Sequence, residues 1–265
     1  MRELSLHQVI APDASPAEMV HTAAALGCEH VCLFTQGTGG DFPFPVVGDA
    51  DVPDLLRLMD SLGVSILGST TFPLTPTLVV DAYAGGFERS GRLGSRVANV
   101  RFLDAEQGRL TDNFARLAEL AGRYGVELTI EFMGFGKREA LDQALEVIRQ
   151  AGRGKITIDP LHVVRTGVSL DALRRLAPDM IGYVQFCDGP LAGTPESYAR
   201  EGAFDRLPPG DGEFPLGEIL ALVPPGLPIS LETPQEPARL RGVSVLERCR
   251  RSVDGMRRLI AAEGT

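Results

Sequence analysis

Short apolar runs alternate with amphipathic stretches along the whole chain. The runs are rich in Val, Ile, Leu and Phe and end at turn residues, whereas the longer stretches repeat their apolar positions every three to four residues. These patterns predict strands at 4–10, 30–36, 64–72, 96–104, 126–132, 155–159, 181–188 and 227–233. They predict helices at 15–27, 52–63, 78–94, 110–125, 137–151, 169–177, 215–222 and 243–262, with glycines interrupting the third.

Eight strand–helix repeats predict a single (β/α)8 TIM barrel that spans residues 1–265. No change in composition marks a linker between two domains. A doubly wound open sheet is the alternative fold. That fold needs a glycine-rich turn after the first strand, and the sequence APDAS at 11–15 is not one.

Four polar residues each follow an apolar run near the end of a predicted strand: Glu131, Asp159, Gln185 and Glu232. They are separated by 28, 26 and 47 residues. The first two separations correspond to one strand–helix unit, and the third adds a long loop. Because the carboxyl ends of barrel strands meet at one face, four consecutive strands are expected to present these groups at the same height.

The residues that precede the three carboxylates are apolar and are expected to face the outer helices: Ile130, Ile158 and Leu231. The polar side chains then point into the barrel. Three converging carboxylates need a cation or protons to coexist. An all-oxygen set completed by a glutamine carbonyl favours one Mn²⁺ or Mg²⁺, with Co²⁺ or Zn²⁺ as alternatives. The competing interpretation is that each residue only makes a hydrogen bond at its strand end.

Five segments, in order, carry a family resemblance: LTIEFM, ITIDPLHVVRTG, YVQFCDGP, RLPPGDGEFPL and ISLETP. They resemble the xylose isomerase-like TIM barrels, which include sugar phosphate isomerases/epimerases, ketose 3-epimerases and 3-dehydroshikimate dehydratases. The resemblance covers essentially all of the chain and implies a metal site at Glu131, Asp159, Gln185 and Glu232. Many members carry histidine in place of Gln185, whereas glutamine is found in some of the dehydratases.

The resemblance also implies substrate-binding residues. His162, in the D-x-x-H pattern, matches a histidine that reaches the substrate or the metal, and Arg206 matches a loop arginine that contacts the substrate. The alternatives are that His162 lies on the surface of a loop and that Arg206 pairs with Asp205 or Asp211. His7, in the first strand, either reaches the mouth of the barrel or is buried in the core.

The activity implied by the resemblance is that of a divalent-metal-dependent isomerase or epimerase in carbohydrate metabolism. A proton next to the carbonyl of a small polyhydroxylated keto substrate would be moved through a metal-stabilised enediolate, with Glu131 and Glu232 as acid and base. The alternative is a lyase of the 3-dehydroshikimate dehydratase type, which uses the same enolate and employs His162 as base or acid.

Charge and composition narrow the function classes. The net charge is −9 and the isoelectric point is about 5.0, which disfavours binding to a nucleic-acid backbone. Apurinic endonucleases share the fold but hold a metal cluster with several histidines, whereas this chain has four histidines in all. A non-catalytic barrel that serves as a binding subunit is the remaining alternative.

Further expectations concern the chain's environment and two local features. No apolar run is long enough for a signal peptide or a membrane span, so a cytoplasmic protein with four reduced, buried cysteines is expected. The resemblance suggests a homodimer or a larger homo-oligomer. Residues 37–45 are interpreted as a mobile lid. Asp188 either orients a metal ligand or caps the turn that follows it.

Overall fold

The computed structural model describes residues 2–37 and 44–263. In these residues eight parallel strands close into a barrel, in which each strand pairs with its neighbours in sequence and β8 pairs with β1. The strands are β1 (Leu4–His7), β2 (His30–Phe34), β3 (Ser65–Leu74), β4 (Val97–Phe102), β5 (Glu127–Glu131), β6 (Lys155–Ile158), β7 (Ile181–Phe186) and β8 (Ile229–Leu231). The predicted TIM barrel is confirmed, and the pairing of β1 with β8 excludes the open sheet.

Helices surround the barrel and end where the sequence signals predict. They are α1 (Pro16–Ala25), α2 (Val52–Leu62), α3 (Ala84–Leu93), α4 (Gln107–Gly122), α5 (Ala140–Ala151), α6 (Pro160–Thr166), α7 (Leu170–Arg174), α8 (Pro195–Ala203), α9 (Leu216–Leu220), α10 (Glu236–Leu240) and α11 (Val245–Glu263). The hydroxyl of Ser15 accepts a hydrogen bond from the Glu18 amide at 3.2 Å and caps α1. Gly63 ends α2 in the left-handed conformation, with φ of 66°.

The main differences from the sequence prediction lie at the carboxyl ends of the strands. The stretch predicted as a helix over 78–94 begins with a 3₁₀ turn at Val80–Tyr83 before α3. Helices α6, α8 and α10 were not predicted, because each lies in a connecting segment between a strand and the helix predicted after it. Helix α6 has a direct consequence for function, because it places His162 on a buried helix rather than on an exposed loop.

Buried apolar side chains form two groups. The large one joins the strands to the helices and includes the three residues predicted to face outward, Ile130, Ile158 and Leu231. A small one lies apart from it and consists of Cys32, Leu67, Val97 and Tyr183. Buried hydroxyl side chains also lie on several strands: Ser5, Thr129, Thr157 and Ser230. The barrel strands therefore carry buried polar as well as apolar side chains.

All four cysteines are buried and carry free thiols, as predicted. Burial raises the pKa of Cys28 and of Cys249 to about 12, so both stay protonated and behave as small apolar side chains. None of the helices in the described ranges combines the length and the apolar composition that crossing a bilayer requires.

Candidate active site

At the carboxyl ends of the strands the barrel opens into a cavity of about 510 Å³. Glu131, Gln185 and Glu232 line it, and Asp159 contacts the lining residue Arg206. All four strand-end residues are buried, with at most 7% of any of them exposed. The structure therefore brings the four residues to one end of the barrel, at the height expected from their spacing.

His162 lies between two of these carboxylates. Its Nε2 atom is 3.3 Å from Oε1 of Glu131 and 3.8 Å from Oδ2 of Asp159. The D-x-x-H spacing explains this arrangement, because Asp159 caps α6 by accepting a hydrogen bond from the Leu161 amide and His162 lies in the first turn that follows. One ligand atom from each of Glu131, Asp159 and His162 lies within 4.8 Å of the others, so the three can hold one metal ion.

Tyr198, on α8, fixes the orientation of the His162 ring. Its phenolic oxygen lies 2.8 Å from Nδ1 of His162 and accepts a hydrogen bond from the Gly134 amide at 3.0 Å. The phenol therefore holds the ring at Nδ1 and leaves Nε2 directed at Glu131 and Asp159. Burial raises the pKa of Tyr198, so the phenol retains its proton at neutral pH.

Arg206 neutralises the opposite side of the cluster. Its Nη1 atom is 2.8 Å from Oδ2 of Asp159 and 3.4 Å from Oε2 of Glu232. Its Nε and Nη2 atoms donate to the carbonyls of Glu201 and Gly202 at 3.1 Å each, at the end of α8. Buried carboxylates without a counter-charge are costly, which accounts for the position of the guanidinium.

The alternative in which Arg206 pairs with Asp205 or Asp211 is wrong. Asp205 pairs with Arg200 at 3.4 Å, and Asp211 pairs with Arg251 at 2.9 Å. Both aspartates therefore have other partners, and Arg206 is directed into the barrel.

The Gln185 side chain raises the question of what its amide oxygen binds. Gln185 is 1% exposed, and its Oε1 atom has no hydrogen-bond partner in the described part of the chain. Leaving a buried amide oxygen unpaired costs about 1–3 kcal/mol. Carboxylates, amide carbonyls and imidazoles are all ligands of divalent metal ions. The Gln185 oxygen, the carboxylates and the imidazole in this cavity therefore form a donor set that suits such an ion.

His7 ends β1, lines the cavity and is neutral. Burial, supported by Arg206 and Arg101 and opposed by Glu131, lowers the pKa of His7 to about 3. Its Nδ1 accepts a hydrogen bond from the Val9 amide at 3.2 Å, so the ring proton is on Nε2. That nitrogen has no partner among the described residues. Of the two interpretations of His7, the structure favours the one in which it reaches the barrel mouth.

The two glutamates titrate in opposite directions in the absence of a metal. Burial, reinforced by Glu131 and Asp159 and opposed by Arg206, raises the pKa of Glu232 to about 8. Burial also acts to raise the pKa of Glu131, but His162, Arg101 and Arg206 together outweigh it and lower the pKa. Without a metal, the surroundings therefore favour the protonated form of Glu232 and the ionised form of Glu131.

Two residues of β4 belong to the site and were not predicted. Asn99 donates from Nδ2 to Oε2 of Glu131 at 3.1 Å, and its Oδ1 accepts from the Thr157 hydroxyl at 2.9 Å. Arg101, two residues further on, also lines the cavity. The signal was present in the sequence VANVRF, where polar residues two positions apart in a strand share the inward face.

Asp188 caps a loop and makes no contact with Gln185 in the described residues. Its Oδ1 accepts from the amides of Gly189 and Phe214 at 2.8 and 3.0 Å. Its Oδ2 accepts from the amides of Gly210 and Gly212 at 2.9 and 3.0 Å. The turn-capping interpretation of Asp188 is therefore the correct one.

The segment predicted as a lid, 37–45, lies largely outside the described residues, which omit 38–43. Of its remaining residues, Phe44 lines the cavity and stacks on Phe34 with a centroid separation of 4.3 Å.

The sequence model of the xylose isomerase-like TIM barrel family matches residues 20–259, so the chain belongs to this family. The match covers seven of the eight strands in the described chain, from β2 to β8. The family resemblance drawn from the sequence motifs is thereby confirmed. No curated protein matches the chain.

Several solved structures share the fold. A crystal structure of IolI protein with a bound zinc atom is 15% identical and superposes with a TM-score of 0.81 over 99% of both chains. A xylose isomerase domain-containing protein from Salmonella typhimurium LT2 is 17% identical, with a TM-score of 0.78 over 100% of this chain and 98% of that one. D-psicose 3-epimerase from Clostridium cellulolyticum H10, solved with D-tagatose, is 12% identical, with a TM-score of 0.71 over 99% of both chains. At these identities the similarity shows the fold alone.

Proposed function

We propose that the protein is a divalent-metal-dependent isomerase or epimerase that moves a proton next to the carbonyl of a small polyhydroxylated keto substrate. The supporting observation is the composition of one cavity. Two buried glutamates, from β5 and β8, share it with a glutamine whose amide oxygen has no protein partner. The epimerases among the structures that share this fold support the same class of reaction.

The residues that would hold the ion are Glu131, Asp159, Gln185 and Glu232, with His162 as a further donor. When bound, a divalent ion supplies a Lewis acid that polarises the substrate carbonyl and offsets the charge of the carboxylates. The carboxylate and amide oxygens favour Mn²⁺ or Mg²⁺, whereas ligation by His162 would strengthen Zn²⁺ or Co²⁺.

The two glutamates supply the acid and the base. One of them removes the proton from the carbon next to the carbonyl, the C–H electron pair becomes a carbon–carbon double bond, and the carbonyl π pair moves to oxygen. The other returns a proton. Delivery to the opposite face of the same carbon gives epimerisation. Delivery to the former carbonyl carbon, while the proton of the neighbouring hydroxyl moves to the former carbonyl oxygen, gives isomerisation. Asn99 fixes the carboxylate of Glu131, and Nε2–H of His7 donates to an oxygen of the substrate.

Deuterium exchange tests this proposal directly. The protein is incubated in deuterated water with a panel of ketoses and keto acids, and exchange next to the carbonyl is followed by NMR. Chelation with EDTA should abolish the exchange, and Mn²⁺ or Mg²⁺ should restore it. Exchange that continues in the fully chelated protein would refute a metal-dependent reaction.

A matched pair of variants tests the role of the glutamates. Glu232→Gln should lower turnover by about 10²-fold or more, because a positioned general acid or base is lost. The control is Glu88→Gln, which makes the same change at an exposed position outside the cavity and should retain full turnover. Equal rates for the two variants would remove Glu232 from the mechanism.

A dehydratase is the second candidate, and the pairing of His162 with Tyr198 favours it. These two side chains share a hydrogen bond of 2.8 Å and can pass a proton to a departing hydroxyl group. Incubation of the metal-loaded protein with 3-dehydroshikimate, followed by ultraviolet absorbance, distinguishes the candidates. A new conjugated chromophore identifies the lyase, whereas deuterium exchange without loss of water identifies the isomerase or epimerase.

A further inference from the structure

Two positive side chains of the cavity form no ion pair in the described part of the chain, although Arg101 is near enough to favour the ionised forms of Glu131 and Glu232. Arg101, at the carboxyl end of β4, is half-buried, and its Nε atom is fully buried without a hydrogen bond. Lys137, in the loop between β5 and α5, lines the same cavity. Its side chain lies against Gly134, where an added Cβ would come within 2.6 Å of Lys137 Cδ.

The other charged residues of the cavity are paired. His162 contacts Glu131 at 3.3 Å, and Arg206 contacts Asp159 and Glu232 at 2.8 and 3.4 Å. A divalent ion held by the three carboxylates would leave that cluster, together with Arg206, without net charge. The charges of Arg101 and Lys137 would then remain in excess, at the place where a substrate has to bind.

Arg101 lies next to the reacting cluster and not at the rim of the protein. Its Cα is paired in register with that of Glu131 across β4 and β5. Asn99, two residues earlier on the same face, already binds Glu131, so the next inward side chain of β4 extends above that carboxylate. A group bound by Arg101 would therefore lie on the strand next to Glu131.

We propose that Arg101 and Lys137 form a subsite for an oxyanion, a carboxylate or a phosphate, carried by the substrate. The planar guanidinium suits the two oxygens of either group, and the ammonium of Lys137 adds a second positive charge. The assignment of this anion to the substrate rests on the proposed function. The anion site itself is inferred from two positive side chains that form no ion pair in the described residues. The substrate class is then an acidic or phosphorylated polyhydroxy keto compound rather than a neutral sugar.

Anion binding by the metal-free protein tests the subsite. Dissociation constants are measured by NMR titration in the presence of chelator at a pH of about 8, so that no metal contributes. The probes are inorganic phosphate and glycolate, with glycerol as an uncharged comparison. The wild type should bind at least one of the two anions and should not bind glycerol measurably.

Variants assign the binding to these residues. Arg101→Gln should weaken anion binding by about tenfold or more, and Lys137→Gln by a smaller factor. Arg92→Gln removes the same charge from an exposed helical position outside the cavity and should leave the affinity unchanged. If Arg101→Gln does not fold, Arg101→Lys takes its place, since it keeps the charge, loses the planar fork and should weaken binding severalfold.

The outcomes separate the two sources of the anion and the two proposals. A preference for phosphate identifies a phosphorylated substrate, a preference for glycolate identifies a carboxylate, and either result supports the subsite. Equal affinity in wild type and Arg101→Gln, or no saturable binding of either anion, overturns it. Because these titrations contain no metal, anion binding that is lost in Arg101→Gln would stand even if metal-dependent deuterium exchange were never observed.

Discussion

Replacing Gln185 by leucine separates a metal ligand from an ordinary buried amide. In the metal-free protein the wild-type Oε1 is buried without a partner, and leucine fills a similar volume without a polar atom. Removing an unsatisfied buried acceptor should stabilise the metal-free protein by about 1–2 kcal/mol. For a chain of this size, each kcal/mol of stabilisation raises the melting temperature by about 2–4 °C.

Gln8 provides the matched control. It is 0% exposed, and its amide is satisfied: Oε1 accepts from the Phe34 amide at 2.9 Å, and Nε2 donates to the Pro45 carbonyl at 2.8 Å. Gln8→Leu leaves those two groups without partners and should destabilise the protein by about 2–4 kcal/mol. The same substitution at two buried glutamines should therefore have opposite effects.

Bound metal should reduce or reverse the gain in stability that Gln185→Leu has over the wild type in the metal-free protein. At a Mn²⁺ concentration 100 times the wild-type Kd, binding stabilises the wild type by about 2.7 kcal/mol, whereas a variant with a tenfold weaker Kd gains about 1.4 kcal/mol. Calorimetric titration with Mn²⁺ and thermal melts with and without the ion measure both quantities. If Gln185→Leu binds Mn²⁺ as tightly as the wild type, Gln185 is not a ligand and the four-residue site is wrong.

Two further predictions concern protons in the same cavity. Because the pKa of Glu232 is raised to about 8 from its usual 4.5, its contribution to metal-free stability is fully present below about pH 4.5 and is lost as pH rises through about 8. Thermal melts of the chelated protein should show this loss in the wild type and not in Glu232→Gln, and parallel curves would contradict it. Tyr198→Phe removes the phenol that orients His162 and should lower kcat and shift its pH profile, with little change in substrate KM. An unchanged pH profile would restrict Tyr198 to packing.

The barrel and the positions of the strand-end residues could be predicted because they depend on local pattern and repeat length. Apolar runs end at Glu131, Asp159 and Glu232, and alternation along a strand determines which face each side chain occupies. Because the apolar residue before each carboxylate faces the outer helices, the carboxylate itself must face the barrel interior. No knowledge of distant contacts is needed for this step.

The remainder of the site depends on contacts between distant parts of the chain. Arg206 pairs with Asp159 across 47 residues, and Tyr198 meets His162 across 36 residues on a short helix that the sequence does not mark by periodicity. Arg101 was missed for a different reason. Its alternation with Asn99 was visible in the sequence, but a single arginine near the end of a strand is usually solvated, so the alternation alone did not assign it to the cavity that it lines.

The Asp188 cap has a consequence for how this protein can diversify. A single carboxylate binds the amides of Gly189, Gly210, Gly212 and Phe214, so it holds together the two ends of a segment of more than twenty residues. The entropy of closing such a segment rises only slowly with its length.

Residues 190–209 are also attached to the barrel through their own side chains, because Glu201 pairs with Arg165 at 2.7 Å and Arg206 with Asp159 at 2.8 Å. The segment can therefore change length between these contacts while Tyr198 and Arg206 keep their partners. Such changes are accordingly a direct route to new substrate selectivity above an unchanged set of strand-end residues.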